Sequence, residues 1–239
     1  MKNLVYISFL FLLGCLNSDL INSSKSSFDS VPKTQYVGFI EREFIKYGMV
    51  DVETISSRFF VHLSYSDTAN FVHEDLYGNI EKCYVNKQTA DKLWVADSIL
   101  HSEFPDYFFL VYDGARPHYV QQLMYDLYIK MPVAQGLYLS HPNNNSLHNY
   151  GVAIDLTICD SNGKPIDMGT DFDHFGHESH IVNEWGLKSS GKISEEAYNN
   201  RKLLRRIMLQ AKFSPILYEW WHFNSCSRGY AAAHYTLIP

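Results

Sequence analysis

Residues 151–158 constrain the fold most, because they alternate strictly between two kinds of side chain. Every second position is a branched apolar residue: Val152, Ile154, Leu156 and Ile158. The positions between them carry one charge, that of Asp155. This alternation has the period of a β-strand and predicts a half-buried strand, apolar on one face and polar on the other. The lone carboxylate of Asp155 therefore needs either solvent or a positive partner.

Two other segments have the period of helices that pack against a sheet. Residues 87–104 place apolar side chains on one stripe, and Ser194 can cap a later helix. That later helix points four apolar side chains inward: Leu204, Ile207, Met208 and Ala211. Residues 107–112 and 216–223 predict strands, and Pro117 suits the start of a helix. We therefore expect a single α+β domain with a central, mainly antiparallel sheet flanked by helices.

The chain opens with a segment typical of an export signal. Lys2 supplies a positive charge, residues 4–13 are apolar, and Gly14-Cys15 closes the run. The run is too short to span a bilayer. Leu12-Leu13-Gly14-Cys15 resembles the bacterial lipoprotein cleavage box, which implies that Cys15 becomes the acylated first residue of the mature chain. We expect an exported, membrane-anchored lipoprotein that faces the periplasm or the cell exterior, or alternatively a secreted periplasmic protein.

Composition divides the chain and limits its partners. We expect a signal segment over residues 1–15, a Ser-rich tether over 16–35 and one folded domain over 36–239. The formal net charge of -6 has the wrong sign for binding a phosphate backbone. Nucleic acid is therefore excluded as a partner, the membrane is reached through the lipid anchor only, and no protein partner is predicted.

Beyond Cys15, three cysteines remain: Cys83, Cys159 and Cys226. They form no C-x-x-C pair, so no cysteine zinc site is indicated. One disulfide with one buried thiol, or three buried thiols, both fit the sequence.

Histidines and carboxylates recur at places that could bind a divalent ion. His148 lies seven residues before Asp155, and Glu219 and His222 follow near the end of the chain. Two imidazoles and one carboxylate suit zinc, and that set leaves a fourth position for water, as a catalytic site requires. Zinc lowers the pKa of bound water to about 7, and Glu219 can then take its proton.

Each of these residues also has an ordinary explanation. Asp155 could face solvent, and His148 lies in an Asn-rich loop that suits a surface histidine. The spacing of three puts Glu219 and His222 on opposite sides of a regular strand, so both face one ion only if a bulge or strand end intervenes. Without that irregularity, residues 218–223 are better interpreted as an aromatic core strand.

Three separated motifs stand in a fixed order along the chain: Asp113-Gly114-Ala115-Arg116-Pro117, Ser146-x-His148-x-x-Gly151-x-Ala153-x-Asp155 and Glu219-Trp220-Trp221-His222. In order and spacing they resemble the VanX-type D-alanyl-D-alanine dipeptidases, over residues 65–223. The resemblance implies hydrolysis of the small D-alanyl-D-alanine dipeptide, in cell-wall metabolism or glycopeptide resistance. It also implies one Zn²⁺ per chain, held by His148, Asp155 and His222, with Glu219 as the catalytic base.

The resemblance assigns roles to four further residues. Arg116 corresponds to an arginine that stabilises the oxyanion of the transition state. Because a residue before proline adopts extended geometry, we expect Arg116 to project from the turn between strand and helix; the ordinary alternative is a surface salt bridge. Ser146 corresponds to a serine that contacts the substrate, although a loop hydroxyl also bonds readily to its own backbone. Asp173 and Tyr65 correspond to groups that bind the substrate ammonium.

Two other functions and one other metal cluster remain as alternatives. The same zinc chemistry would suit a D,D-carboxypeptidase or endopeptidase acting on peptidoglycan, and a noncatalytic zinc lipoprotein could bind cell-wall peptides. His174, His177 and His180 are spaced by three and could share a helical face. Because Gly176 interrupts this segment, we prefer a solvated loop there.

Overall fold

The computed structural model describes residues 33–78, 80–131 and 138–239. These residues contain six α-helices: α1 (Lys33–Lys46), α2 (Lys87–Glu103), α3 (His118–Tyr128), α4 (Glu184–Ser189), α5 (Glu195–Gln210) and α6 (Arg228–His234). Cys15 and the predicted segment 1–15 lie outside the described residues, as do residues 16–32 of the predicted tether. None of the described helices is both long enough and apolar enough to cross a membrane.

Seven strands lie within the described residues, and five of them form the sheet that carries Asp155 and His222. The strands, in chain order, are β1 (Val50–Asp51), β2 (Phe59–Val61), β3 (Tyr84–Val85), β4 (Phe108–Asp113), β5 (Ala153–Cys159), β6 (Ser214–Pro215) and β7 (His222–Asn224). The large sheet has the order β2-β4-β5-β7-β6, and only its β2–β4 pair is parallel. β1 and β3 form a separate antiparallel pair. The predicted α+β domain with a mainly antiparallel sheet is confirmed.

The central strand β5 departs from the prediction of a half-buried strand, because all seven of its residues are buried. Phe172 covers the polar face from outside the sheet. Its ring stacks on Tyr112 of β4 at 4.7 Å and lies 5.2 Å from the ring of Trp221. Asp155 itself is only 3% exposed, so its charge must be matched by neighbouring protein groups or by a bound ion.

The prediction of one strand over residues 216–223 is wrong. Two short antiparallel strands, β6 and β7, flank a loop of residues 216–221, with Pro215 opposite Phe223. Glu219 lies in this loop and His222 is the first residue of β7. The strand boundary therefore supplies the irregularity that the spacing of Glu219 and His222 requires.

Both predicted helix patterns are confirmed. α2 begins at Lys87, and Ser194 caps α5 by accepting a 2.8 Å hydrogen bond from the N–H of Ala197. The residues predicted to point inward are all buried: Leu204, Ile207, Met208 and Ala211. α5 packs against α2, and both helices contribute buried side chains to the main hydrophobic core.

The three cysteines in the described part of the chain are free thiols. Cys83 and Cys159 are buried, and Cys226 is half-buried. Of the two arrangements that the sequence allowed, the structure has three separate thiols.

Candidate metal centre

A short 3-10 helix, Leu147–Tyr150, fixes the position of His148. Ser146 caps this helix by accepting a hydrogen bond from the N–H of His148, and the Asn149 side chain bonds back to the N–H of Ser146. Gly151 ends the helix in the left-handed region, at φ 65°. A Cβ atom at Gly151 would lie 2.7 Å from Sδ of Met49, so only glycine fits both the conformation and the space.

Asp155 and His222 face each other across the neighbouring strands β5 and β7. Nδ1 of His222 is 2.9 Å from Oδ1 of Asp155, and Nε2 of His148 is 3.4 Å from Oδ2. The two ring nitrogens are themselves 3.2 Å apart. The three donor atoms lie within 4.8 Å of one another, and the described residues contain no other group of histidines, cysteines and carboxylates with this spacing.

Hydrogen bonds behind the two imidazoles direct their other ring nitrogens toward Asp155. Nδ1 of His148 donates to the carbonyl of Gly114 at 2.7 Å, and Nε2 of His222 donates to Oδ1 of Asn224 at 2.9 Å. Histidine ligands of metals are commonly oriented by such bonds on the opposite nitrogen. Once these two nitrogens are deprotonated, their lone pairs and the carboxylate converge, so the donor set fits a divalent ion and leaves coordination positions open.

The charge state of Asp155 suits a ligand. Burial alone would raise the pKa of this carboxyl group, but the charges and hydrogen bonds of His148 and His222 outweigh burial and hold the pKa below its ordinary value. Asp155 is therefore ionised at neutral pH.

Glu219 lies beside the cluster without belonging to it. Its Oε2 atom is 3.9 Å from Nδ1 of His222, and its side chain is 13% exposed. Burial raises the pKa of Glu219 to about 8, against the attraction of His222 and with the repulsion of Asp155 and Asp173. This carboxyl group is thus poised to exchange a proton near neutral pH.

Arg116 is buried and rigidly held, which excludes the surface salt bridge considered above. Its Nε and Nη2 atoms lie 3.0 and 2.5 Å from Oδ2 of Asp113, and Nη1 donates to Oε1 of Gln121 at 2.9 Å. Tyr77 donates a further 2.7 Å hydrogen bond to Asp113. The guanidinium carbon lies 5.1 Å from the centre of the Tyr65 ring. Arg116 projects from the turn between β4 and α3, as the sequence predicts.

All eight candidate residues beyond the N-terminal segment line one cavity of about 250 Å³: Tyr65, Arg116, Ser146, His148, Asp155, Asp173, Glu219 and His222. Drug-sized ligands usually occupy pockets of roughly 300–1,000 Å³, so this cavity suits a smaller molecule. The hydroxyl of Tyr65 donates to Oδ2 of Asp173 at 2.9 Å. Burial raises the pKa of Asp173 well above its usual range, and the hydrogen bond from Tyr65 opposes this shift only in part.

Sequence reasoning missed the residues that support this site from behind. Asp113 begins the motif Asp113-Gly114-Ala115-Arg116-Pro117, but the sequence predicted no role for it. In the structure, its carboxylate accepts a hydrogen bond from Arg116. Asn224 lies two residues after His222 on the same strand, so the period of a strand would have placed it on the same side. Gln121 and Arg228, which also line the cavity, had no sequence signal.

The alternative histidine cluster does not converge. His174 pairs with Glu178 at 3.6 Å, and His180 bonds through Nε2 to the hydroxyl of Tyr138 at 3.0 Å. His177 begins the short 3-10 helix His177–Ser179 and lies 3.5 Å from His180 through Nδ1. The segment is a loop with one helical turn, and His174 and His177 are exposed.

The sequence is similar to known proteins over most of the folded region. The profile of the peptidase M15 family, described as D-ala-D-ala dipeptidase, matches residues 46–238. A D-alanyl-D-alanine dipeptidase of Escherichia coli (strain K12) is 30% identical over 176 residues, which are 74% of this chain and 83% of that protein. A D-alanyl-D-alanine dipeptidase of Synechocystis sp. (strain ATCC 27184 / PCC 6803 / Kazusa) is 33% identical over 148 residues, 50% of this chain and 60% of that protein.

Proposed function

Because the chain belongs to the peptidase M15 family of D-Ala-D-Ala dipeptidases and is therefore a metallopeptidase, we propose that it hydrolyses free D-alanyl-D-alanine with a bound zinc ion. One observation carries this proposal. Two imidazoles and a carboxylate converge within 4.8 Å in a small cavity, with Glu219 beside them.

Zinc is the metal that this donor set favours. Nitrogen from His148 and His222 and oxygen from Asp155 make a three-ligand set of the kind found in catalytic zinc sites, which keep a position open. We propose one zinc ion per chain at these residues. When bound, zinc would lower the pKa of a water molecule and polarise the peptide carbonyl.

Glu219 and Arg116 account for proton transfer and for stabilisation of the oxyanion. Glu219 takes a proton from the attacking water, whose oxygen bonds to the carbonyl carbon, and returns a proton to the leaving amine as the C–N bond breaks. A nearby divalent cation favours the ionised form of Glu219 that proton uptake requires. Arg116, held by Asp113, presents a fixed positive charge to the developing oxyanion. The products are two molecules of D-alanine.

Asp173 and Tyr65 are the proposed ammonium site. Asp173 has no ion-pair partner among the described residues, and its pKa is raised by burial. A substrate ammonium would relieve that unfavourable burial. A free amine is then a condition of binding, which favours a dipeptidase over a D,D-carboxypeptidase or endopeptidase acting on peptidoglycan. We propose that Ser146, which lines the same cavity, donates its hydroxyl hydrogen to the substrate.

A panel of substrates tests the function directly. We expect purified protein to hydrolyse D,D-dialanine and to lose this activity in a chelator, with recovery on adding zinc. N-acetyl-D,D-dialanine, which has no ammonium group, should be cleaved at least about 10-fold more slowly, because hydrogen bonds to charged groups contribute about 1.5–3 kcal/mol. Hydrolysis of L,L-dialanine at the same rate would contradict the D,D assignment, and no hydrolysis at all would favour a noncatalytic binding protein.

Two matched variants locate the source of this selectivity. Asp173→Asn should lose most of the preference for a free over an acetylated amine. Asp171→Asn removes the same charge from an exposed neighbour and should keep the preference. Equal preference in D173N and the wild type would place ammonium recognition elsewhere.

We further propose that the enzyme works outside the cytoplasm, where cell-wall peptides are found. The apolar run 4–13 followed by Cys15 supports export and a lipid anchor. Labelling of growing cells with a tagged fatty acid should mark the wild-type protein and not C15S; unlabelled wild-type protein would leave the secreted form as the better proposal.

A further inference from the structure

Arg228 is a cationic residue of the cavity that the proposed chemistry does not use. It is the first residue of α6, four positions after the end of β7, and it lines the same cavity as the metal cluster. Its Nη1 atom donates to the backbone carbonyls of Asn144 and Asn145. Because these two residues directly precede Ser146, Arg228 is tied to the loop that positions His148.

The charge of Arg228 is not matched by a carboxylate in the described part of the chain. The cavity's other arginine, Arg116, pairs with Asp113, donates to Gln121 and is already assigned to the oxyanion. The cavity lining also contains three carboxylates: Asp155, Asp173 and Glu219. A substrate carboxylate that enters this acidic lining is favoured where a cation faces it. Arg228 has an unmatched charge with which to supply that attraction.

The order of strands separates Arg228 from the proposed ammonium site. Tyr65 follows β2, Asp155 lies on β5, and Arg228 follows β7, in the sheet order β2-β4-β5-β7-β6. Two of the proposed ligands, Asp155 on β5 and His222 on β7, therefore lie between these positions in the strand order, with Tyr65 and its partner Asp173 on the β2 side and Arg228 on the β7 side. A free dipeptide has the same arrangement of charge, with its ammonium and carboxylate on opposite sides of the single peptide bond.

We propose that Arg228 is a specificity residue that binds the C-terminal carboxylate of the dipeptide. The inference rests on the proposed dipeptidase function and adds a second condition to it, which is a free carboxyl end. The loop carbonyls take Nη1, so Nε and Nη2 remain to donate to the two carboxylate oxygens. Arginine favours this contact because its planar donors match a carboxylate in charge and geometry.

The test compares D-alanyl-D-alanine with its C-terminal amide, which keeps the ammonium and the peptide bond but carries no carboxylate. Wild-type enzyme should prefer the acid. Arg228→Gln should raise KM for the acid by about 10- to 100-fold with kcat changed far less, because the lost contact is equal in the ground state and the transition state. KM for the amide should hardly move, so the ratio of kcat/KM for acid over amide falls toward one.

Two further variants serve as controls. Arg42→Gln removes the same charge from an exposed position on α1, away from the cavity lining, and should keep the wild-type ratio. Arg228→Lys retains a cation and should keep part of the preference.

The possible outcomes separate the two proposals. An unchanged acid-to-amide ratio in R228Q overturns the role of Arg228, and so does an equal fall in kcat/KM for both substrates, which would indicate a structural role. If wild-type enzyme with zinc hydrolyses neither substrate, the proposed dipeptidase function fails instead.

Discussion

Replacing Glu219 with glutamine is expected to lower kcat for D-alanyl-D-alanine by at least about 10³-fold, near the upper part of the range for a general base. Glutamine has nearly the same shape but cannot take a proton from water. The three proposed ligands are untouched, so zinc should remain at one ion per chain. Steady-state kinetics together with metal analysis of the purified variant would measure both quantities.

Glu196→Gln is the matched control, because Glu196 is exposed in the first turn of α5. It should have wild-type kcat. A near-normal kcat in E219Q with zinc bound would remove Glu219 from the mechanism. Loss of zinc in E219Q would instead make this residue a ligand.

Stability of the metal-free protein provides an independent check on the burial of Glu219. Its folded-state pKa of about 8 lies above the ordinary value of 4.5, so the carboxyl group binds a proton more tightly in the folded state. The resulting stabilisation is complete below about pH 4.5 and is lost as pH rises through about 8. Metal-free E219Q has no such group and should lose less stability than metal-free wild type over this range of pH.

The sequence predicted α2, α5 and β5, because the structure of each depends on the spacing of residues within its own segment. The stripe along 87–104 predicted α2 to within one residue, and the Ser194 cap predicted where α5 begins, because a helix is determined by spacing and by its first turn. The alternation over 151–158 gave β5 in the same way. It did not indicate that both faces are buried, since that burial depends on residues outside the strand, such as Phe172, which stacks on Tyr112.

Composition misled at residues 216–223 for a related reason. Aromatic and β-branched residues favour strands, but they also fill buried loops. Trp220 and Trp221 are buried through tertiary contacts, with Nε1 of Trp220 donating to the Thr170 hydroxyl at 2.8 Å and Trp221 packing on Phe172. Such contacts join residues about 50 positions apart, and no local pattern reports them.

The candidate site was predictable where residue type limits the chemistry. Few side chains can bind a metal, so His148, Asp155 and His222 stood out by type and spacing. Supporting groups such as Gln121 and Asn224 are common polar residues whose function depends on position alone. Their roles became visible only when the fold placed them beside Arg116 and His222.

Replacing His222 with alanine is expected to abolish both zinc binding and turnover. The variant removes one of three proposed ligands and leaves Nε2 of His148 facing Asp155 with no third donor. Zinc that binds only the folded state stabilises it by mass action, so wild-type protein should melt at a higher temperature with zinc than with chelator. H222A should show no such difference, in thermal melts followed with and without zinc.

Two controls make this prediction specific to the proposed centre. Asn224→Ala removes only the acceptor behind His222 and should weaken zinc binding by about 10- to 100-fold, as is typical for partners of metal ligands. His177→Ala alters the alternative histidine cluster and should leave zinc content and melting temperature unchanged. Because His177 is exposed, its loss should not disturb the fold. Normal zinc binding in H222A together with its loss in H177A would move the metal to the loop around His177 and refute the proposed mechanism.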